Sequence, residues 1–252
     1  MITFYNYNLA DQGTMTASNE NALFPVSNIQ DDRRTKVFRS TSSSVSITVD
    51  LQTAEPVDSF IIVDHPKRGF GHSTLTLEAS PTPSFASPAF TTTVSVDHEF
   101  GIGIKEFTSV NFRFWRLVMT GSSFVEVSKI FLGSKVLMTD NSIDYGWTYT
   151  DNDLSNIKTN RFNQRFIDEI GSQVGISFSL KYLNKTEVDQ IFGIYDFNRR
   201  SKPFFIKIGG GADPIINNEN RFAGYFYMDR TPRVRNPAFA LYNMSMRLVE
   251  GK

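Results

Sequence analysis

The chain has 252 residues, enough for one large all-β domain or two domains of ordinary size, and the change of pattern along it favours two. Lys and Arg together number 26 and so do Asp and Glu, so no net field draws the protein to nucleic acid or to an anionic membrane. The absence of Cys excludes a disulfide framework, thiolate chemistry and cysteine-based zinc sites. Met1-Ile2-Thr3-Phe4 leads directly into polar residues and no apolar run reaches bilayer length, so the expectation is synthesis in the cytosol without membrane insertion. Phe is abundant, 23 residues within 13% aromatics, which suits sandwich cores and subunit interfaces.

In chain order, residues 1–24 mix apolar and polar positions without a helical period, and Asn28 to Arg34 is a polar, turn-prone loop. After the Ser40–Ser44 run, Val45, Ile47, Val49 and Leu51 alternate with Ser46, Thr48 and Asp50, which predicts a strand with one apolar face. Past a short turn, Phe60–Val63 is continuously apolar, as in a strand covered on both sides. Leu75–Ala79 alternates and stops at Ser80-Pro81-Thr82-Pro83, Thr91–Val96 is β-branched, and Phe112–Leu117 and Ile130–Gly133 close the half. Strands at this spacing, broken by Gly, Pro and Ser turns, predict a sandwich.

The order of pieces in residues 17–133 resembles the discoidin-like, galactose-binding-like jelly roll. The pieces are the Asn28-Ile29-Gln30-Asp31 loop, Val49-Asp50-Leu51, Val57 to Ile62, Thr76 to Ser80, Arg113-Phe114-Trp115-Arg116-Leu117, and Val127 to Gly133. The resemblance implies sugar-binding loops at one end, for which Asn28, Arg68, Phe70 and His72 are of suitable type; loop packing and solvated charge are the plainer account of them. A structural calcium is the one cofactor the resemblance admits, with Asp31 and Glu126 as ligands, although Arg33 and Arg34 interrupt the usual acidic loop.

Near Met138 the pattern restarts. Tyr145–Tyr149 and the alternating Gln173–Tyr182 predict strands. Asn184 with Glu187 three residues on predicts a capped helix near 185–198, with Val188, Ile191, Phe192 and Tyr195 at helical spacing. Lys202-Pro203-Phe204-Phe205 resumes a strand, Gly209-Gly210-Gly211 reads as a turn, and Phe222–Met228 and Ala238–Val249 are paired strands. The expected division is 1–138 and 139–252.

Residues 145–250 resemble the second domain of tail-tip proteins of long-tailed bacteriophages, the distal tail and minor tail families. The carriers are the helix over Glu187–Phe197, Lys202-Pro203-Phe204-Phe205, and Met246-Arg247-Leu248-Val249-Glu250. The resemblance implies a tail-tube-type β-barrel or sandwich that forms a ring, sixfold in that family, on the distal end of the tail tube.

Enzyme motifs are missing: there is no Gly-x-Ser-x-Gly elbow, no His-Glu-x-x-His helix and no phosphate loop, and His65, His72 and His98 fall in loop-like stretches. Basic clusters at Arg199-Arg200 and Arg230, Arg233 and Arg235 would meet either DNA or acids of a neighbouring copy, and subunit contact, together with Phe204, is the favoured use. The expectation is a non-enzymatic virion protein of a phage tail tip or baseplate. Its partners would be its own copies, the tail tube, the hub and other tail-tip proteins, and host-surface glycan, with no sequence-specific nucleic acid. The alternative is a soluble carbohydrate-binding protein.

Overall fold

The computed structural model describes residues 2–64, 72–121, 123–138, 143, 146–209 and 219–251, with the backbone alone at His72, Ser73, Glu219 and Arg221. The described chain is mostly β with a single α-helix, and its sheets are open rather than closed into barrels. It divides into two compact units. The first holds Thr3–Leu137 together with Phe205–Gly224, and the second holds Met138–Phe204 and Tyr225–Gly251.

The first unit contains β1 (Ile2–Tyr5), β2 (Thr14–Ala17), β3 (Phe38–Arg39), β4 (Ser44–Val63), β5 (His72–Ser80), β6 (Phe90–Thr93), β7 (Val96–Asp97), β8 (Ile102–Gly121), β9 (Glu126–Val127), β10 (Lys129–Gly133) and β11 (Lys135–Leu137). Its main sheet runs β10-β4-β8-β5-β6, with β2 also on β4 and β7 also on β8. Both predicted strands around Leu51 and Phe60 belong to the single 20-residue β4, because the intervening chain stays paired with β8 across register shifts instead of turning back. Gln52, at φ 67, takes up the first irregularity.

Alternation and register together fix the core. Val45, Met119 and Leu75 stand side by side on β4, β8 and β5, as do Ile47, Leu117 and Leu77, and then Val49, Trp115 and Ala79. All nine are buried, and small Ala79 makes room beside large Trp115. Phe90, Phe107 and Phe112 surround the indole at 6.0, 6.1 and 6.5 Å between centroids, and its N–H donates to the Phe112 carbonyl at 3.2 Å. Gly133 is required where it stands, since a Cβ there would lie 2.5 Å from the Tyr7 carbonyl oxygen.

The second unit contains β12 (Thr148–Asp153), β13 (Asn156–Thr159), β14 (Arg165–Asp168), β15 (Ser172–Leu183) and α1 (Lys185–Asn198). Later come β16 (Phe204–Ile208), which passes into the first unit, β17 (Ala223–Met228), β18 (Arg233–Ala238) and β19 (Leu241–Glu250). Here β17, β19, β15 and β12 follow one another, and β18 also pairs with β19. Ile176, Phe178 and Leu180 lie opposite Leu248, Met246 and Met244, and all six are buried. Tyr182 breaks the predicted alternation: at φ 60 it sits in the bulge before Leu183 and is 68% exposed.

The helix is capped as its sequence predicts, with Glu187 N–H donating to Asn184 Oδ1 at 3.0 Å and Asn184 N–H to Glu187 Oε2 at 2.9 Å. Its buried stripe is Val188, Ile191, Ile194 and Asn198; Tyr195, expected on that stripe, is partly exposed. The Asn198 amide donates back to the Ile194 carbonyl, and Arg199 at φ 52 ends the helix.

In the first unit, half-buried Glu106 on β8 joins three strands, accepting from the Tyr5 hydroxyl at 2.7 Å and from Lys135 Nζ at 3.1 Å. Burial raises its pKa, but the Tyr5 hydrogen bond and the Lys135 and Lys207 charges outweigh burial and leave it lowered. A lowered carboxyl contributes stability that is complete above its unfolded value and is lost as pH falls through the folded one. Denaturation midpoints of wild type and Glu106→Gln should therefore differ most near neutrality and converge in acid; a constant gap down to the acid limb would remove Glu106 from the pH dependence.

Candidate ligand-binding site

The strongest constellation in the first unit forms where β3 meets β9. Phe38 pairs with Val127 and Arg39 with Glu126, so alternation sends Phe38 and Val127 into the core and the charged pair to the other face. Arg39 donates through Nε at 2.7 Å and through Nη2 to the same oxygen, Glu126 Oε1. Its guanidinium also lies 4.4 Å from the Phe24 ring centroid and 4.7 Å from that of Phe124.

Local hydrogen bonding holds each ring in place. The Asn21–Phe24 turn is closed by Phe24 N–H on the Asn21 carbonyl and by Leu23 N–H on Asn21 Oδ1. It is tied to β3 by Asn21 N–H on the Arg39 carbonyl and Arg39 N–H on that of Phe24. Val125 N–H donates to Ser40 Oγ at 2.8 Å, and Ser40 N–H donates to the Val125 carbonyl, which sets the position of Phe124. Leu23 is 81% and Phe124 42% exposed, whereas Glu126 is buried. The result is a pre-organised surface patch of aromatic faces, an apolar side chain and a fixed planar cation. Such a patch can take a ligand with both C–H faces and hydroxyls.

A second charged cluster lies on β10. Lys129 is 1% exposed and its ammonium donates to Asp11 Oδ1 at 2.8 Å and to the Asp31 carbonyl at 3.4 Å, with Asp32 Oδ1 at 3.6 Å. Burial raises the Asp11 pKa against the pull of Lys129. Beside it, the Asn8 side chain donates to the Ile130 carbonyl and accepts from Leu132 N–H, so it supplies β10 with a piece of ladder.

The expected site residues are dispersed. Asn28 braces its own loop, donating from its side chain to the Val37 carbonyl at 2.9 Å. Arg68 and Phe70 lie outside the described residues, and of His72 only the backbone at the start of β5 is described. Asp31 is held well below the usual carboxylate range by hydrogen bonds from Arg33 and Lys36, while Glu126 is paired with Arg39. The two proposed calcium ligands therefore sit in separate ion pairs. Among the described residues no group of three or more His, Asp or Glu side chains is placed to hold a metal.

Of the expected interface residues, Phe204 is 1% exposed and packs inside its own chain, where four of the five residues of its strand are buried. That corrects its assignment to the surface. Arg199 pairs with Asp196 at 3.2 Å and lies over the Tyr195 ring, Arg200 is exposed, and Arg230 approaches Asp229 at 3.8 Å. Arg233 and Arg235, two apart on β18, are exposed on one sheet face. The sequence reading passed over Phe24, Arg39 and Phe124; the available signal was aromatic residues in turn-forming segments, Phe24-Pro25 and Ser122-Ser123-Phe124.

No family model matches the chain, and no curated protein matches it. Among solved structures it is similar to chitosan-binding module 1 of a chitosanase/glucanase from Paenibacillus sp. IK-5, at 22% identity over 51% of this chain and 99% of that one, with a TM-score of 0.43. It is also similar to the family 32 carbohydrate-binding module of C. perfringens NanJ, in complex with galactose, at 14% identity over 54% and 100%, TM-score 0.43. A Streptococcus pneumoniae fucose-binding module, SpX-3, gives 12% identity over 51% and 98%, TM-score 0.44.

Replacing Arg39 leaves the Glu126 carboxylate buried without its cation. Arg39→Ala should cost about 3 kcal/mol in urea unfolding, with part of that restored when Glu126→Gln is added. Additive losses in the double variant would argue against the coupling.

Proposed function

We propose that the chain is a non-catalytic binding protein whose first unit takes a carbohydrate at the Phe24, Arg39 and Phe124 cluster. The observation that carries this reading is the guanidinium held between two phenylalanine rings and anchored by Glu126, with Leu23 and Phe124 open beside it. A sugar ring offers an apolar C–H face to an aromatic side chain and hydroxyls to charged or amide groups. A cluster already fixed by hydrogen bonds loses little side-chain freedom when it binds. Galactose and fucose, named for two of the similar modules, are the first probes.

A second reading places the chain in a virion, as a tail-tip or baseplate protein of a long-tailed phage. Its second unit would form a ring, six copies by analogy with the resembling family, on the tail tube. Its first unit would face other tail proteins or host glycan. The observation favouring it is the hairpin β13–β14, which pairs with no other strand among the described residues and carries exposed apolar side chains. Such a feature suits a part of an assembly.

Calorimetric titration of the full chain with galactose- and fucose-terminated oligosaccharides should show binding that weakens at least tenfold in Phe124→Ala, with the unfolding midpoint unchanged. Equal affinity in that variant would move the site elsewhere, and no binding across a glycan array would overturn the sugar reading. Light scattering after size exclusion tests the second reading: a closed ring growing in with concentration supports it, and a strict monomer, alone or added to isolated tail tubes, counts against it.

A further inference from the structure

The hairpin β13–β14 is well specified although no other described strand pairs with it. Its turn is closed by Asn160 N–H on the Gln164 carbonyl and Asn163 N–H on the Asn160 carbonyl, while Asn160 Oδ1 accepts from the N–H groups of Phe162 and Gln164. Asn163 adopts φ 59, which asparagine tolerates. At the base, Leu154 N–H donates to the Gly171 carbonyl and Asp153 accepts from Ser155 N–H. Every residue of both strands is nevertheless exposed. Ile157 and Ile167, directly opposed, are 55% and 57% exposed, and Phe162 and Phe166 are 70% and 60% exposed. A two-stranded ribbon of this kind is marginal in water without a packing partner.

Charge is distributed unevenly along the hairpin. Lys158, Arg161 and Arg165 lie towards the turn, whereas Asp151, Asp153, Asp168 and Glu169 lie at the base. Among the described residues none of these seven has an ion-pair partner, although Arg161 lies over the Phe162 ring. By alternation Arg165 and Glu169 share the face of the Ile157–Ile167 pair, on its turn side and its base side, whereas Lys158 and Asp168 point to the other face. A two-fold contact between identical hairpins laid antiparallel on that face would bring the Ile157–Ile167 pairs together and set each Arg165 against the other copy's Glu169. The pattern is self-complementary, which selects a second copy of this chain as the occupant.

We propose that β13–β14 is a docking arm through which two copies of this chain associate, apolar centre on apolar centre and basic turn on acidic base. This goes beyond both readings of function: it needs no sugar site, and a two-fold contact joins copies in pairs whether or not they also form a ring.

The test uses the full chain in sedimentation-velocity runs over a concentration series at low and high salt. The wild type should self-associate, with an apparent dissociation constant at least tenfold higher for Ile157→Asp and also higher at high salt. Arg165→Glu and Glu169→Lys should each be monomeric alone and should form a heterodimer when mixed. All substituted residues are exposed, so circular dichroism and the unfolding midpoint should stay at wild-type values. Oligomers that ignore the arm variants would overturn the docking arm while leaving a ring intact. A wild type that stays monomeric at every concentration would overturn it too, with sugar binding by the first unit measured separately.

Discussion

The register between β4 and β8 is the constraint on which the first unit depends. These two 20-residue strands pair along nearly their full length, and β2, β5, β7 and β10 each pair with one of them. A one-residue slip of β4 would turn Val45, Ile47 and Val49 away from the core while Trp115, Leu117 and Met119 of β8 stayed facing it. The strands avoid this by taking up mismatch at two places, between Asp50 and Glu55 and between Val57 and Ser59, so that both flanking segments keep their apolar faces on the same side. The positions of β3, β9 and the aromatic cluster at their junction follow from that frame.

Around the frame, several buried polar groups are satisfied by charges and amides of the chain itself. Lys129 answers Asp11 and the Asp31–Asp32 turn, Arg39 answers Glu126, and Asn8 completes the edge of β10. Each device links segments far apart in sequence, as Asn8 and Ile130 or Arg39 and Glu126 show. Such pairs add specificity more than net stability, because desolvating the ions offsets much of their attraction.

The second unit contrasts with this economy. Its sheet has one well-buried face, with Ile176, Phe178 and Leu180 against Leu248, Met246 and Met244. Its other face carries Ser177, Ser179, Ser245 and Arg247, and its hairpin displays isoleucine and phenylalanine to solvent. The chain thus buries its first core almost completely and leaves the isoleucine and phenylalanine side chains of this ribbon exposed.

The sequence by itself determined the elements whose pattern is local. Alternation marked Val45–Leu51 and Val174–Leu180, the Asn184/Glu187 box marked the helix start, and the Pro81–Pro83 stretch marked the end of β5. These depend on period and on capping within a few residues, which a linear reading can see. Only the tertiary structure decided that two predicted strands are one β4, that Tyr182 turns outward, that Phe204 is core and that Phe205–Gly224 joins the first unit. The candidate site was legible only in Glu126, and there as a metal ligand. Its partner Arg39 lies 87 residues away, and Phe24 and Phe124 belong to turns that carry no periodic signal. Pairing across such separations is set by sheet register and loop closure, which act in space and leave no spacing rule in the chain.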